Sequence, residues 1–184
     1  MKRCLVVLSF LLLAVNAHAV EVSGVEVAPT LRVQDRTLIL NGYGVRKKFL
    51  FKVYVGALYT SKRVSSPEEL LRNPDDKLVR MHFLHSKVEK EKITGAFAEG
   101  FADNSPDVAA SGEAKAFLSF FTTDFMKGDT VDLALGADGT VVARHNGKTL
   151  GTLRSPKLAN GILLIYVGKT PADESLKKGM LGLR

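Results

Sequence analysis

Alternation of apolar and polar residues marks most of the strands in this chain. Residues 20–27 alternate with an interruption at Gly24 and predict a first strand, and residues 37–40 predict a short second strand that the turn residues Asn41 and Gly42 end. Residues 49–60 are rich in aromatic and β-branched side chains and are apolar on both faces, which predicts a strand covered on both sides. Further strands are predicted at residues 78–84, 130–135, 140–145 and 148–153.

Helix-start signals lie between these strands. Ser66-Pro67-Glu68-Glu69 combines a serine cap, a proline at the first helical position and a glutamate three residues after the cap, and Asn73-Pro74 closes the short helix that it begins. Ser86-Lys87-Val88-Glu89 repeats the capping pattern and predicts a second helix. Ser155-Pro156 predicts the start of a further helical region, and residues 173–181 predict a terminal helix.

Phenylalanines recur at helical spacing in the middle of the chain. In the helix predicted after residue 86, Phe97 and Phe101 share one face with Ile93, Ala96 and Gly100. A following helix is predicted to carry Phe117, Phe120, Phe121 and Phe125. Aromatic residues at this spacing more often form a core than line a lipid cleft, and both interpretations stay open.

The order of the elements predicts the fold class. Strands come first, helices cluster in the middle, and a three-stranded meander with an Asn146-Gly147 hairpin turn precedes the last helices. This order predicts an α+β fold with a large, mainly antiparallel β-sheet.

The first nineteen residues are typical of a cleavable signal peptide. Lys2 and Arg3 precede an apolar run over residues 4–15, and Ala17 and Ala19 place small residues where signal peptidase reads the chain. The run is shorter than the ~20 residues that span a bilayer, so an uncleaved anchor is the less favoured alternative. We expect a periplasmic or secreted protein that begins at Val20, with residues 20–184 as a single domain.

Cleavage after Ala19 changes the composition of the protein. It removes Cys4, the only cysteine, so that neither a disulfide nor a thiolate metal ligand is expected. The formal net charge falls from +7 to +5 with the loss of Lys2 and Arg3. The remaining lysines are scattered among acidic residues, which argues against a nucleic-acid partner but allows an anionic ligand or an anionic membrane surface. No cofactor motif is present, and His82, His85 and His145 lack the spacing of a metal site.

Residues 41–60, NGYGVRKKFLFKVYVGALYT, resemble the opening of the chalcone isomerase-like superfamily. In that superfamily a glycine-rich turn and an arginine precede a strand that ends in two tyrosines five residues apart. Residues 165–171 and 173–178 are similar to the closing segment of its bacterial exported members. The residues that match the opening motif are Gly42, Gly44, Arg46, Tyr54 and Tyr59.

The resemblance implies a fold in which the sheet packs against a layer of α-helices, with a ligand cleft between them. The superfamily contains plant enzymes that cyclise chalcones as well as fatty-acid-binding proteins. Arg46 matches the arginine that organises catalysis in the enzymes, whereas Tyr54 matches the fatty-acid-binding branch. Polar catalytic residues of the enzymes fall on Glu89, Ala96 and Ile165, so most of the catalytic set is absent.

Arg46 and Tyr54 are therefore the predicted ligand-binding residues, and Arg46 is the only candidate for a catalytic role. An arginine offers a permanently charged planar fork to a carboxylate or an enolate-like oxygen. The alternatives are that Arg46 solvates a turn beside Lys47 and Lys48, and that Tyr54 belongs to the core. On one extended strand their separation would be about 26 Å, so cooperation requires a bend or a bulge near residues 47–49. Tyr59 is interpreted as structural.

Two classes of function follow from the resemblance. One is a non-catalytic binding protein that holds a small amphipathic or acidic ligand, such as a fatty acid, with Arg46 as the anion anchor. The other is an isomerase or intramolecular lyase for an unknown phenolic or unsaturated substrate, which needs no metal or redox cofactor. A structural partner of another envelope protein is a third, weaker hypothesis.

Overall fold

A computed structural model describes residues 19–33 and 35–183 of the chain. The predicted signal peptide, except for Ala19, lies outside the described residues. Among the residues described, no helix is long and apolar enough to cross a membrane.

The centre of the fold is a large antiparallel sheet. The strands are β1 (Val20–Val22), β2 (Val25–Val27), β3 (Thr30–Val33), β4 (Arg36–Lys48), β5 (Phe51–Thr60), β6 (Lys77–Phe83), β7 (Lys87–Val88), β8 (Phe125–Met126), β9 (Thr130–Leu135), β10 (Thr140–His145) and β11 (Lys148–Arg154). Seven of them form this sheet, in the order β11-β10-β9-β6-β5-β4-β3. The longest strands, β4 and β5, form a hairpin in which Lys48 pairs with Phe51. A small hairpin, β1–β2, and a two-stranded ribbon, β7–β8, lie outside this sheet.

The helices are α1 (Pro67–Arg72), α2 (Lys90–Asn104), α3 (Pro106–Ala109), α4 (Gly112–Ser119), α5 (Pro156–Val167) and α6 (Glu174–Met180). Capping side chains fix the starts of several of them. Ser66 and Ser155 accept hydrogen bonds from the first turns of α1 and α5, each of which has proline at its start. Asp173 caps α6 in the same way. These three helix starts confirm the predictions from the sequence.

The sheet has an apolar core on each face. Tyr54, Leu58 and Phe83 face the helices in the larger core. Val55, Ala57 and Tyr59 of the same strand β5 face the other side, where the β1–β2 hairpin contributes apolar residues. Strand β5 is therefore covered on both sides, as its apolar pattern predicts, and the α+β fold with a large antiparallel sheet is confirmed.

The prediction that Asn41 and Gly42 end a strand is wrong. Both residues lie within β4, which continues to Lys48. A Cβ atom on Gly42 would collide with the backbone of Gly179 in α6, and one on Gly44 would come within 3.0 Å of the Cα of Leu176. The glycines are therefore needed for the close approach of a helix, rather than for a turn.

Three other predicted boundaries need correction. Residues 20–27 form a hairpin with a turn at Ser23 and Gly24, both at positive φ, instead of one strand. Ser86 caps no helix, because Lys87 and Val88 pair with Met126 and Phe125 in a ribbon, and α2 begins only at Lys90. Phe125 thus lies on a strand, and the predicted helix with four phenylalanines ends at Ser119.

Candidate ligand-binding site

The β4–β5 hairpin brings Arg46 and Tyr54 together. The chain reverses at Phe49 and Leu50, so that Arg46 and Tyr54 become directly paired residues on neighbouring strands. The guanidinium carbon of Arg46 lies 5.6 Å from the centroid of the Tyr54 ring, within the range of a cation–π contact. The pairing register also shifts between Arg46 and Lys47. This hairpin supplies the bend that contact between the two predicted site residues requires.

Arg46 has unused hydrogen-bonding capacity. Its Nε is buried and has no hydrogen-bond partner among the described residues. No carboxylate in the described part of the chain forms an ion pair with its guanidinium group. A buried donor without a partner is costly, and the cost is greater for a charged group. Within the described residues, Nε of Arg46 therefore lacks an acceptor, although the Tyr54 hydroxyl lies beside the guanidinium group.

Two buried phenols lie beside this arginine. Burial raises the pKa of Tyr54, although the nearby Arg46 guanidinium and the Tyr166 hydroxyl counteract the effect. Burial, together with the proximity of Tyr54, raises the pKa of Tyr166 well above its ordinary value. The Tyr166 hydroxyl donates to Sδ of Met81 at 3.3 Å. Both phenols stay protonated at neutral pH, so they act as neutral polar groups rather than as bases.

A small internal cavity lies against these polar groups. Its volume is ≈ 10 Å³, close to the minimum of about 10 Å³ that one water molecule needs. Most of the other side chains that line this cavity are apolar. The lining residues are Arg46, Tyr54, Met81, Ile93, Ala96, Phe97, Ile165, Tyr166 and Ala172.

A larger groove opens on the other side of Arg46, between the hairpin and the start of α2. Its volume is ≈ 410 Å³, within the range of about 300–1,000 Å³ of small-molecule sites. Val53, Val88, Ile93 and Ala96 provide apolar wall, and Arg46, Ile93 and Ala96 line both the groove and the internal cavity. Arg46 thus lies at the inner end of an apolar groove.

The groove is rich in positive charge. Lys48, Lys87 and Lys92 line it together with Arg46, and Glu89 is the acidic residue among its lining. Lys87 is partly neutralised, because its Nζ lies 2.9 Å from Oδ2 of Asp124, and this contact raises the pKa of Lys87. The balance favours a ligand with a negative group.

Helix α6 holds the part of β4 that carries Arg46 in place. Asp173 accepts a hydrogen bond from the backbone N–H of Leu176, which caps the helix, and its other oxygen accepts from the N–H of Lys47 at 3.1 Å. Further along, the Asn41 side chain donates to the carbonyl oxygens of Met180 and Val64. The segment 41–47 is therefore fixed by contacts with a helix more than a hundred residues away in sequence.

The chalcone isomerase-like family model matches residues 19–182, which is nearly the whole chain. The chain belongs to the chalcone isomerase-like family. This confirms the resemblance drawn from residues 41–60 and from the C-terminal segment, whereas membership of the bacterial exported branch stays a prediction. No curated protein sequence matches the chain.

A solved structure shares the fold of this chain. The crystal structure of a fatty-acid binding protein from Arabidopsis thaliana superposes with a TM-score of 0.70 at 18% sequence identity. The match covers 86% of this chain and 92% of that chain. At this identity the likeness shows the fold alone.

Polar catalytic residues of the enzymes fall on Ala96, Ile165 and Glu89, and these three residues do not all lie at the same place in this chalcone isomerase-like fold. Ala96 and Ile165 line the internal cavity with Arg46 and Tyr54, and both are apolar. Glu89 lies at the groove, immediately before α2. The roles of Arg46 and Tyr54 in ligand binding stay predictions.

Apart from His85, which lines the groove, and Phe97, the remaining residues singled out in the sequence lie elsewhere. Tyr59 faces the opposite side of the sheet, where its hydroxyl donates to the carbonyl oxygen of Ala28 at 2.9 Å. The phenylalanines of the helical region belong to the larger core, and of these only Phe97 lines the internal cavity. No group of three histidine, cysteine, aspartate or glutamate side chains in the described residues is arranged to hold a metal ion.

Sequence reasoning missed Tyr166 and the lysines of the groove. Tyr166 lies in the helical region that Ser155-Pro156 begins, where its neighbours Leu163, Leu164 and Ile165 give no polar signal. Its position comes from tertiary packing: its hydroxyl lies 3.3 Å from Sδ of Met81 in β6, and Tyr54 of β5 is near enough to contribute to its raised pKa. A buried tyrosine needs a hydrogen-bond partner, and this is the one signal that points to a polar site in that helix.

Proposed function

We propose that this protein is an exported binding protein that holds a small amphipathic or acidic ligand, such as a fatty acid, without transforming it. The ligand chain lies in the groove between the β4–β5 hairpin and α2, and its anionic group contacts Arg46. The single observation that carries the proposal is that Arg46 lines this groove while its guanidinium group forms no ion pair with a carboxylate of the described residues.

The balance of interactions supports a ligand with an anionic head and an apolar tail. A charge-assisted hydrogen bond to Arg46 contributes about 1.5–3 kcal/mol. Each buried methylene contributes about 0.8 kcal/mol, so affinity rises with chain length until the groove is full. The solved fatty-acid binding protein with the same fold supports this ligand class.

The chemistry around Arg46 supports binding rather than catalysis. The positions aligned with polar groups of the enzymes carry Ala96 and Ile165, which have no group that orients a substrate or a water molecule. The pKa values of Tyr54 and Tyr166 are raised, so neither phenol serves as a base at neutral pH. We expect no cyclisation of a chalcone above the spontaneous rate, and an enhancement near ~10⁶-fold that Arg46→Ala abolishes would contradict this.

Export is part of the proposal. Cleavage after Ala19 leaves a protein that begins at Val20, and the intact mass of protein recovered outside the cytoplasm should correspond to that start. Protein that retains residues 1–19 and fractionates with membranes would contradict export.

Blocking the groove tests its role. Ala96 lines the groove, whereas Ala98 is exposed on the same helix α2, so the two alanines form a matched pair. Ala96→Phe should displace at least two methylenes of a bound fatty acid and weaken its binding by roughly fifteenfold. Ala98→Phe should bind as the wild type does. Equal affinities for the two variants, measured by calorimetric titration with palmitate, would show that the groove is not the binding site.

A further inference from the structure

The tip of the β4–β5 hairpin is an exposed apolar cluster, which we define as Phe49, Leu50 and Phe51. Their exposed fractions are 89%, 96% and 62%, the highest among the large hydrophobic residues described. Phe49 also has a φ of 54°, a conformation that is unusual for a bulky residue. The turn thus holds an aromatic residue where glycine or asparagine would fit with less strain. Strain of this kind is typical of functional positions.

Lysines flank the tip on both strands. Lys47 and Lys48 end β4, and Lys52 follows Phe51 in β5; all three are exposed. None of the three forms an ion pair with a carboxylate within residues 19–33 and 35–183, and Nζ of Lys52 contacts only the hydroxyl of Ser23 at 3.1 Å. The positive charge beside the apolar tip is therefore available to a partner.

We propose that this hairpin tip docks on the surface of an anionic phospholipid bilayer. Phe49, Leu50 and Phe51 insert at the boundary between headgroups and acyl chains, and the three lysines contact lipid phosphates. Apolar insertion combined with basic residues is the pattern of interfacial membrane binding. A tip of three residues offers far less than the about 800 Å² that each partner of a stable protein complex buries, which favours a lipid surface over a folded protein.

The tip also forms part of the mouth of the groove. Lys48, Phe49 and Phe51 line the groove, and His85 packs edge-on against Phe51 with ring centroids 5.6 Å apart. Docking by the tip therefore places the groove entrance at the bilayer surface. An amphipathic molecule then passes between the bilayer and the groove with little exposure to water. Bilayer docking itself does not require that the groove hold a ligand.

Vesicle binding without added ligand tests the docking surface. Wild-type protein should sediment with vesicles of equal parts phosphatidylglycerol and phosphatidylcholine, far less with phosphatidylcholine alone, and less as salt rises. Leu50→Asp should lower the partition coefficient at least about tenfold, because it removes an inserted side chain and adds a negative charge. Lys48→Gln should lower it about fivefold, whereas Lys62→Gln, an exposed lysine at the opposite end of the sheet, should not.

All variants have the same N-terminal residues as the wild type. A difference in vesicle binding between two variants is therefore due to the substituted residue and not to the N-terminus. Absence of wild-type binding to the anionic vesicles, or equal binding by Leu50→Asp, would overturn the proposal. The proposal would also be overturned if the wild type forms a dimer and binds no vesicles, and Leu50→Asp makes it monomeric. The tip would then be a contact between two copies of the chain. None of these outcomes bears on fatty-acid affinity, so failure of docking and failure of the proposed function are distinguishable.

A fluorescent reporter gives a second, independent measurement. The chain contains no tryptophan, so Leu50→Trp introduces a single fluorophore at the tip. Its emission should shift to shorter wavelength on addition of the anionic vesicles and should be quenched by brominated acyl chains. Ala137→Trp, in the exposed turn at the other end of the sheet, should show neither effect. Equal responses at the two positions would overturn insertion by the tip.

Discussion

Replacing Gly42 with alanine places a methyl group where α6 lies against β4. The added Cβ would collide with the carbonyl oxygen of Gly179 and lie 2.9 Å from the carbonyl carbon of Met180. These are backbone atoms, and the carbonyl oxygen of Met180 also accepts a hydrogen bond from Asn41 at 2.8 Å. The helix therefore has no small adjustment that relieves the contact.

The size of the destabilisation by Gly42→Ala depends on the atoms that the added Cβ would meet. Overpacking costs typically 1–3 kcal/mol, and a collision with fixed backbone belongs at the upper end, so we expect Gly42→Ala to lower the free energy of unfolding by about 3 kcal/mol. Gly95 is the matched control, because it is exposed in the middle of α2 and an added Cβ meets nothing within 4 Å. Gly95→Ala should raise the free energy of unfolding by about 0.8–1 kcal/mol through helix propensity.

Urea unfolding at neutral pH measures both variants. The midpoint should fall for Gly42→Ala and rise for Gly95→Ala, with an unchanged slope in each case. In thermal unfolding, the loss in Gly42→Ala corresponds to a decrease in Tm of roughly 6–12 °C. If Gly42→Ala is as stable as the wild type, close approach of α6 is not the reason for a glycine in β4.

Two other predictions concern stability. Arg80 donates two hydrogen bonds of 2.7 Å to Asp132, so Arg80→Met should lower the free energy of unfolding by about 3 kcal/mol. Arg36→Met should cost less than about 1 kcal/mol in the same urea assay, because the Arg36–Asp76 pair is longer at 3.4 Å and Arg36 is exposed; equal costs would contradict the argument. Burial raises the pKa of Tyr59 to about 12, so the folded state keeps a proton that the unfolded state loses near pH 10. Stability should therefore fall as pH rises from about 10 to 12, and Tyr59→Phe should reduce this fall; an unchanged alkaline profile would contradict it.

Local signals predicted those elements that depend on neighbouring residues. Ser66-Pro67 and Ser155-Pro156 begin helices because a serine hydroxyl and a proline ring act within one turn. Asn146 and Gly147 both have positive φ and join β10 to β11, as their turn chemistry indicates. Boundaries of this kind need no knowledge of the rest of the chain.

Features that depend on distant residues were not predictable in the same way. A glycine at position 42 fits a turn as well as it fits a strand that a helix approaches closely. Only the docking of α6 shows that Gly42 allows a close contact. Lys87 and Val88 follow a capping signal but pair with residues almost forty positions later. Family resemblance points to Arg46 and Tyr54, but their contact depends on a reversal at Phe49 and Leu50 that carries no glycine or asparagine signal.

The affinity of Arg46 variants for a fatty acid and its methyl ester tests the central claim most directly. Wild-type protein should bind palmitate more tightly than methyl palmitate, and Arg46→Ala should weaken palmitate binding by roughly ten- to a hundredfold. Arg46→Lys should recover only part of this loss, because an ammonium cannot make the bidentate contact. The ester should lose little affinity in Arg46→Ala. If acid and ester bind the wild type equally, or if Arg46→Ala leaves the affinity for palmitate unchanged, Arg46 is not the anion anchor.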